Sequence, residues 1–198
     1  TTGECTGPTH IGAITLTDGA IATLQADMTD DFATYLNHGS ETEAHLVPDE
    51  DDYKTPSPES LAIMNELQTE FEKLVEQDLS QSTERDRLEL WHSKMTIGMY
   101  QEPGDVHIDR STGNVDVRYL LTAVGPGTTF FKGEFLPGEF VDGDLAKGFD
   151  VPESATAIPQ PTGVVLRFLS DCDPHDLPVV DNPVFRILCD VTIRRKTS

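Results

Sequence analysis

Gly104-Asp105-Val106-His107-Ile108-Asp109 is the stretch on which the reading of this chain turns. Residues two apart on an extended strand leave the same face, so the His107 imidazole and the Asp109 carboxylate are expected side by side. One imidazole and one carboxylate make two thirds of a facial triad, the donor set that suits non-haem Fe(II). The third ligand has to come from a distant strand. His175, in Asp171-Cys172-Asp173-Pro174-His175, is the candidate, because it follows the apolar run Val164-Val165-Leu166-Arg167-Phe168-Leu169. Further on, Arg186 lies inside Val184-Phe185-Arg186-Ile187-Leu188, where a buried or half-buried guanidinium wants a carboxylate to grip. If Phe185 and Ile187 pack outward against helices, alternation turns Arg186 inward, beside the metal.

A lone His-x-Asp pair occurs by chance in many chains, so order and context carry the weight. The pair follows a strand and the Pro103-Gly104 turn, the third histidine follows a later strand, and the arginine sits on the strand after that. Cys172 and His175 have zinc-like spacing, but no second pair completes a structural tetrahedron. His10, His38, His45 and His92 fall outside the pattern and are expected to be surface or core residues. Arg118 and Arg167 are weaker alternatives for the role given to Arg186.

Outward from this stretch, the second half alternates short β-compatible runs with Gly and Pro turns. The runs are Leu88–His92, Met95–Tyr100, Val115–Val124, Thr129–Phe131, Val164–Leu169 and Val184–Ile193. Residues 137–161 carry few apolar side chains and are expected to form a long loop over a barrel mouth. In the first half, Ser57-Pro58 opens the clearest helix, with Leu61, Met64, Leu67, Phe71, Leu74 and Val75 repeating at helical steps to about Leu79. Two short strands are expected around the Asp18-Gly19 turn, within 10–16 and 20–24. Thr29 has the character of an N-cap for a short helix that carries Phe32, Tyr35 and Leu36 and stops at Gly39. The acidic residues 40–57 lack the glycine and ligand spacing of a calcium loop and are expected to be solvated. Helices first and strands afterwards predict an α+β fold, with a sheet portion of the size of a jelly-roll barrel. One domain over 1–198 is expected: a helical N-terminal support with short strands over 1–87, packed on the sheet of a core over 88–195.

The chain carries 35 acidic and 14 basic residues, a formal net charge of −21. Such a balance argues against nucleic acid and against anionic membrane surfaces, and mildly favours a cationic small-molecule or peptide substrate. Cys5, Cys172 and Cys189 form no disulfide framework, so a reducing cytoplasm is the expected compartment. No apolar stretch approaches the ~20 residues that cross a bilayer, and Thr1-Thr2-Gly3-Glu4 has neither region of a signal peptide.

His107-x-Asp109, His175 and Arg186, in their strand context over residues 88–195, resemble the metal and co-substrate motif of the Fe(II)/2-oxoglutarate-dependent dioxygenases. The segment Met99-Tyr100-Gln101-Glu102-Pro103-Gly104 is similar to the strand leading into the motif in the prolyl-hydroxylase-like branch. Arg118–Thr122 and Gly125–Thr128 are similar to an uncharacterised bacterial branch. The resemblance implies a double-stranded β-helix, cupin-like in form. It implies Fe(II) held by His107, Asp109 and His175, with 2-oxoglutarate and O2 as co-substrates. Arg186 and Tyr100 would then hold the far carboxylate, and the outcome would be hydroxylation or a related oxidation. Two positions differ from many members: Leu188 stands where a small hydroxyl residue is usual, and Gly125-Pro126-Gly127-Thr128 where a Gly-Gly-acidic segment is usual. A cupin-type metalloenzyme that does not use 2-oxoglutarate, and a non-catalytic β-barrel protein-binding module, are the alternatives.

Overall fold

Ser57 and Pro58 start the longest helix, as their chemistry requires. The Ser57 hydroxyl accepts from the Ser60 N–H at 3.2 Å, and Pro58 takes the first position, where a missing N–H costs nothing. In chain order the elements are β1 (Thr9–Ala13), α1 (Asp18–Asp27), β2 (Ala33–His38), β3 (Val47–Pro48) and α2 (Pro58–Ser80). After a 3-10 turn at Arg85–Arg87 come β4 (Leu88–Tyr100), β5 (His107–Asp109), β6 (Val115–Val124), β7 (Thr129–Lys132) and β8 (Pro137–Val141). The last are β9 (Ala146–Phe149), β10 (Thr156–Pro159), β11 (Val164–Phe168), β12 (His175–Asp176) and β13 (Val184–Arg195). This is a computed structural model, and it describes residues 7–28, 33–38, 47–48, 55–101, 106–109, 115–133, 137–141, 146–149, 151–169, 173–176 and 179–196.

The strands form two antiparallel sheets. One runs β1-β11-β6-β13-β4-β2-β3 and the other β10-β7-β12-β5-β9-β8. Two helices with antiparallel sheets make the α+β class expected from the sequence. The main core lies between α2 and the larger sheet. Met64, Leu67, Phe71, Val75 and Leu79 repeat along one helix face and are buried in the same cluster as Met95, Ile97, Leu121, Val165, Ile187 and Val191. A smaller cluster joins the two sheets: Leu120 and Leu166 of the larger sheet pack with Phe130 of the smaller one, and Phe168 meets Phe130 edge-on at 5.1 Å.

β13 separates the two cores. Phe185, Ile187, Cys189, Val191 and Ile193 belong to the helix-side core, which turns Arg186, Leu188 and Asp190 to the space between the sheets. The registers set the neighbours of these inner residues: Arg186 lies opposite Gly98, Leu188 opposite Thr96 and Thr122, and Asp190 opposite Lys94 and Leu120.

Four expectations are corrected. Residues 20–24 are helical, inside α1, where the Thr17 hydroxyl caps the Ala20 N–H and Ala20, Ala22, Leu24 and Ala26 favour helix. Asp18-Gly19 is thus a first helical turn, and only β1 remains of the expected strand pair. Ala33–His38 is a strand, not a helix, because it adds to the edge of β4 with Tyr35 opposite Met95; Thr29, Phe32 and Gly39 lie outside the described residues. The acidic segment 40–57 contributes Val47–Pro48 as a short edge strand on β2, and most of its remainder lies outside the described residues. Residues 137–161 are not one long loop. They hold β8, β9 and β10, which complete the smaller sheet, and few apolar residues are needed there because pairing satisfies the backbone. The runs Leu88–His92 and Met95–Tyr100 join into one strand, continued through Ser93, which donates to Glu72 of α2 at 2.6 Å. Among the described residues no helix is long and apolar enough to cross a membrane.

Phe71 is fully buried where α2 meets the larger sheet. Truncation to alanine should cost about 3–5 kcal/mol from lost transfer and the cavity left behind. A urea titration of Phe71→Ala should show the midpoint falling with little change in slope.

Candidate functional site

β5 and β12 are short, and their pairing brings two expected ligands together. His107 and His175 lie directly opposite each other, their ring centroids 4.6 Å apart and their planes at 54°. His175 is buried and flanked by Phe130 and Phe168, whose ring centroids lie 5.5 and 5.2 Å from its own. Its Nδ1 is 2.9 Å from the Asp173 carbonyl oxygen. A carbonyl can only accept, so Nδ1 carries the proton, and in a neutral ring the lone pair then lies on Nε2. Metal-binding imidazoles are held in this way, the non-ligating N–H fixing tautomer and ring orientation. Asp173 is fixed in turn, its carboxylate accepting from the Leu169 N–H at 2.9 Å.

Asp109 is placed on β5, its backbone paired with Ala146; its side chain lies outside the described atoms. Among the described residues no three His, Cys, Asp or Glu side chains group to hold a metal ion. The donor chemistry present nevertheless fits a metal: two imidazoles face each other in an aromatic-walled setting, and the orientation of one is fixed through its Nδ1.

Arg186 and Tyr100, the second expected pair, also come together. The Arg186 guanidinium stands over the Tyr100 ring, 5.2 Å from its centroid, and both residues are buried, at 2% and 3% exposure. Gly98, opposite Arg186 on β4, has φ +143°, a backbone conformation that side chains avoid. Arg186 Nε donates to the Pro126 carbonyl at 3.0 Å, and Nη2 donates to the Thr128 hydroxyl at 3.1 Å. No carboxylate among the described residues pairs with it. Burial accordingly lowers its pKa to about 10, with Tyr100 opposing weakly. Tyr100 is raised above the ordinary tyrosine value, first by burial and then by Asp176, with Arg186 opposing, so its hydroxyl stays protonated at neutral pH.

Thr128 and Gln160 are the residues that sequence reasoning missed. Gly125-Pro126-Gly127-Thr128 wraps the guanidinium, and Gly125 has φ +85° while a Cβ there would meet the Phe185 carbonyl oxygen at 2.6 Å, so conformation and space both call for glycine. Buried Gln160 pins the turn. Its Oε1 accepts from the Thr122 hydroxyl at 3.0 Å and faces the Thr128 N–H at 3.4 Å, while its Nε2 donates to the Leu120 and Val164 carbonyls at 3.0 and 2.9 Å. Its own N–H donates to the Thr128 carbonyl at 2.8 Å. The local signal was the Gly-Pro-Gly-Thr turn itself; nothing near residue 160 announced its partner. The alternatives to Arg186 are otherwise engaged. Arg118 pairs with Asp190, and Arg167 with Asp78 at 2.9 Å on the helix side of the sheet. His10 is exposed, and His92 lies beside Trp91 on β4.

No family model matches the chain, and no curated protein does. Solved structures that align with it include a prolyl-4-hydroxylase from Pseudomonas putida, at 14% identity over 71% of this chain and 70% of that one, TM-score 0.41. A second is an oxidoreductase of the 2OG-Fe(II) oxygenase family from Burkholderia pseudomallei, at 13% identity over 90% and 77%, TM-score 0.42. A third is AviO1 from Streptomyces viridochromogenes Tue57, at 14% identity over 98% and 92%, TM-score 0.48.

The tautomer is directly testable. Long-range 1H–15N correlation spectra of the metal-free protein at a pH where His175 is neutral should show its Nδ1 protonated and its Nε2 bare. The opposite tautomer would remove Nε2 as a ready ligand.

Proposed function

We propose that this chain is an Fe(II)- and 2-oxoglutarate-dependent oxygenase that hydroxylates or otherwise oxidises an organic substrate inside a double-stranded β-helix. The observation that carries the proposal is Arg186: a guanidinium at 2% exposure with no carboxylate partner among the described residues. A buried charge without a counter-ion is costly, and a bound carboxylate offsets that cost. The fork of Arg186 is oriented for such a ligand, because Pro126 and Thr128 take Nε and one Nη2 position and Tyr100 backs the guanidinium plane.

The register ties this cradle to the histidines. Phe130 lies opposite His175, and Thr128 is two residues before it. At about 3.3 Å per residue the cradle sits roughly 7 Å along the sheet from His175. A five-carbon dicarboxylate can span that separation, one end on Arg186 and the Tyr100 hydroxyl, the 2-oxo acid end toward the histidines. His107, His175 and Asp109 would hold the iron, which when bound supplies the dioxygen chemistry, with the 2-oxo acid as electron donor. The protein's part is placement. The Asp173 carbonyl keeps the His175 lone pair on Nε2, Phe130 and Phe168 exclude water from the buried side of that ring, and the turn pinned by Gln160 holds Thr128 against Arg186.

Anaerobic titration of the Fe(II)-loaded protein with 2-oxoglutarate should develop the visible charge-transfer band of the chelate. Arg186→Ala should weaken binding by at least tenfold, and His107→Ala should abolish both band and turnover. Iron binding with no band at any 2-oxoglutarate concentration would leave the cupin-type enzyme as the better reading. Failure to bind iron at all would leave the binding module.

A further inference from the structure

The space between the sheets holds a second cationic feature that neither the metal nor the 2-oxo acid uses. Asp190 lies on the inner face of β13, its side chain 4% exposed, and Arg118 engages both of its carboxylate oxygens from β6. Lys94, directly opposite on β4, reaches the same carboxylate only distantly, its Nζ 3.9 Å away and its side chain 35% exposed. Among the described residues the cluster sets two cations around the Asp190 carboxylate, and the lysine is its half-exposed member. Phe168 connects it to the histidines: the Arg118 guanidinium lies 5.8 Å from the Phe168 ring centroid, and the same ring meets His175 at 5.2 Å.

Resting on the oxygenase reading for which molecule arrives there, we infer that Lys94, seated on the Asp190–Arg118 pair, recognises an organic anion, so that the substrate is an apolar or aromatic body bearing a carboxylate or similar oxyanion. The alternation that turns Arg186 inward also turns Asp190 inward, two same-face positions further along β13. The two cationic sites thus share one face, with Leu188 between them. Arg118 and Lys94 both face Asp190 already, so a cationic substrate would approach a carboxylate that carries two cations. An amine would meet Lys94 and be repelled. The chain's net charge of −21 does not decide the matter. Exposed charges are screened beyond about 8 Å at physiological salt, so the local cluster governs the last step of binding. This reverses the cationic preference expected from composition.

Calorimetric titration of the metal-free protein with 4-phenylbutyrate and with 4-phenylbutylamine, probes of matched shape and opposite charge, tests the inference. The carboxylate should bind at least tenfold more tightly than the amine. Lys94→Gln should lose about tenfold of the carboxylate affinity, and Lys94→Glu should invert the preference. Lys94 is substituted in preference to Arg118, whose loss would strand the buried Asp190 charge. Binding of neither probe, a preference for the amine, or indifference to Lys94→Gln would overturn the inference. Lys94-dependent carboxylate binding in a protein that forms no iron–2-oxoglutarate band would remove the oxygenase reading and leave the anion site standing.

Discussion

Strict alternation along β13 is the constraint from which the rest of the structure follows. A central strand of the larger sheet has no solvent face. One set of side chains must satisfy the helices, and the other must satisfy whatever lies between the sheets. Phe185, Ile187, Cys189, Val191 and Ile193 meet the first demand. With that face committed, Arg186 and Asp190 cannot move to it without burying charge in the α2 core, and a one-residue slip of register would exchange every position. The hydrophobic core therefore aims the polar groups. Cys189 illustrates the same rule, since complete burial pushes its thiol well above the ordinary range and leaves it a small apolar residue.

The two inward charges are compensated differently. Asp190 is neutralised within the protein by Arg118 and Lys94. Arg186 receives neutral acceptors, the Pro126 carbonyl and the Thr128 hydroxyl, and the face of an aromatic ring. Carbonyls and hydroxyls orient a guanidinium and recover some lost hydration, but they do not cancel its charge. Hence its pKa is lowered by burial while the charge itself persists at neutral pH. That difference separates an ion pair from a buried cation that meets only neutral groups among the described residues.

Much of this was visible in the sequence, and what was missed has a physical pattern. α2 was legible because a cap, a proline and a long apolar stripe agree with one another. β6, β11 and β13 were legible as β-branched and aromatic runs between turns. The pairing of His107 with His175 and of Arg186 with Tyr100 in space was legible because each sits on such a run or just beyond one, where alternation and order limit its neighbours. Residues 20–24 and 33–38 were misassigned because short apolar runs carry no decisive period; a cap at Thr17 settles one and the edge of β4 settles the other. β8 and β9 have little apolar signal, and their strand character comes from pairing with each other and with β5. Gln160 lay beyond reach because its partners come from β6, from β11 and from the turn that follows β6, joined only by the fold.

Gln160 also explains how the Gly-Pro-Gly-Thr turn is held against Arg186. Gly127 packs so closely on the Gln160 backbone that a Cβ would lie 2.0 Å from its carbonyl oxygen, and Thr162 holds the Gly125 carbonyl at 2.7 Å. With both ends of the turn held, the Pro126 carbonyl and the Thr128 hydroxyl are directed at Arg186. An acidic residue in this turn would place a fixed negative charge beside the guanidinium and compete with any incoming carboxylate. A hydroxyl and a carbonyl orient the same group without competing. Gly-Pro-Gly-Thr thus orients the guanidinium without adding a charge of its own.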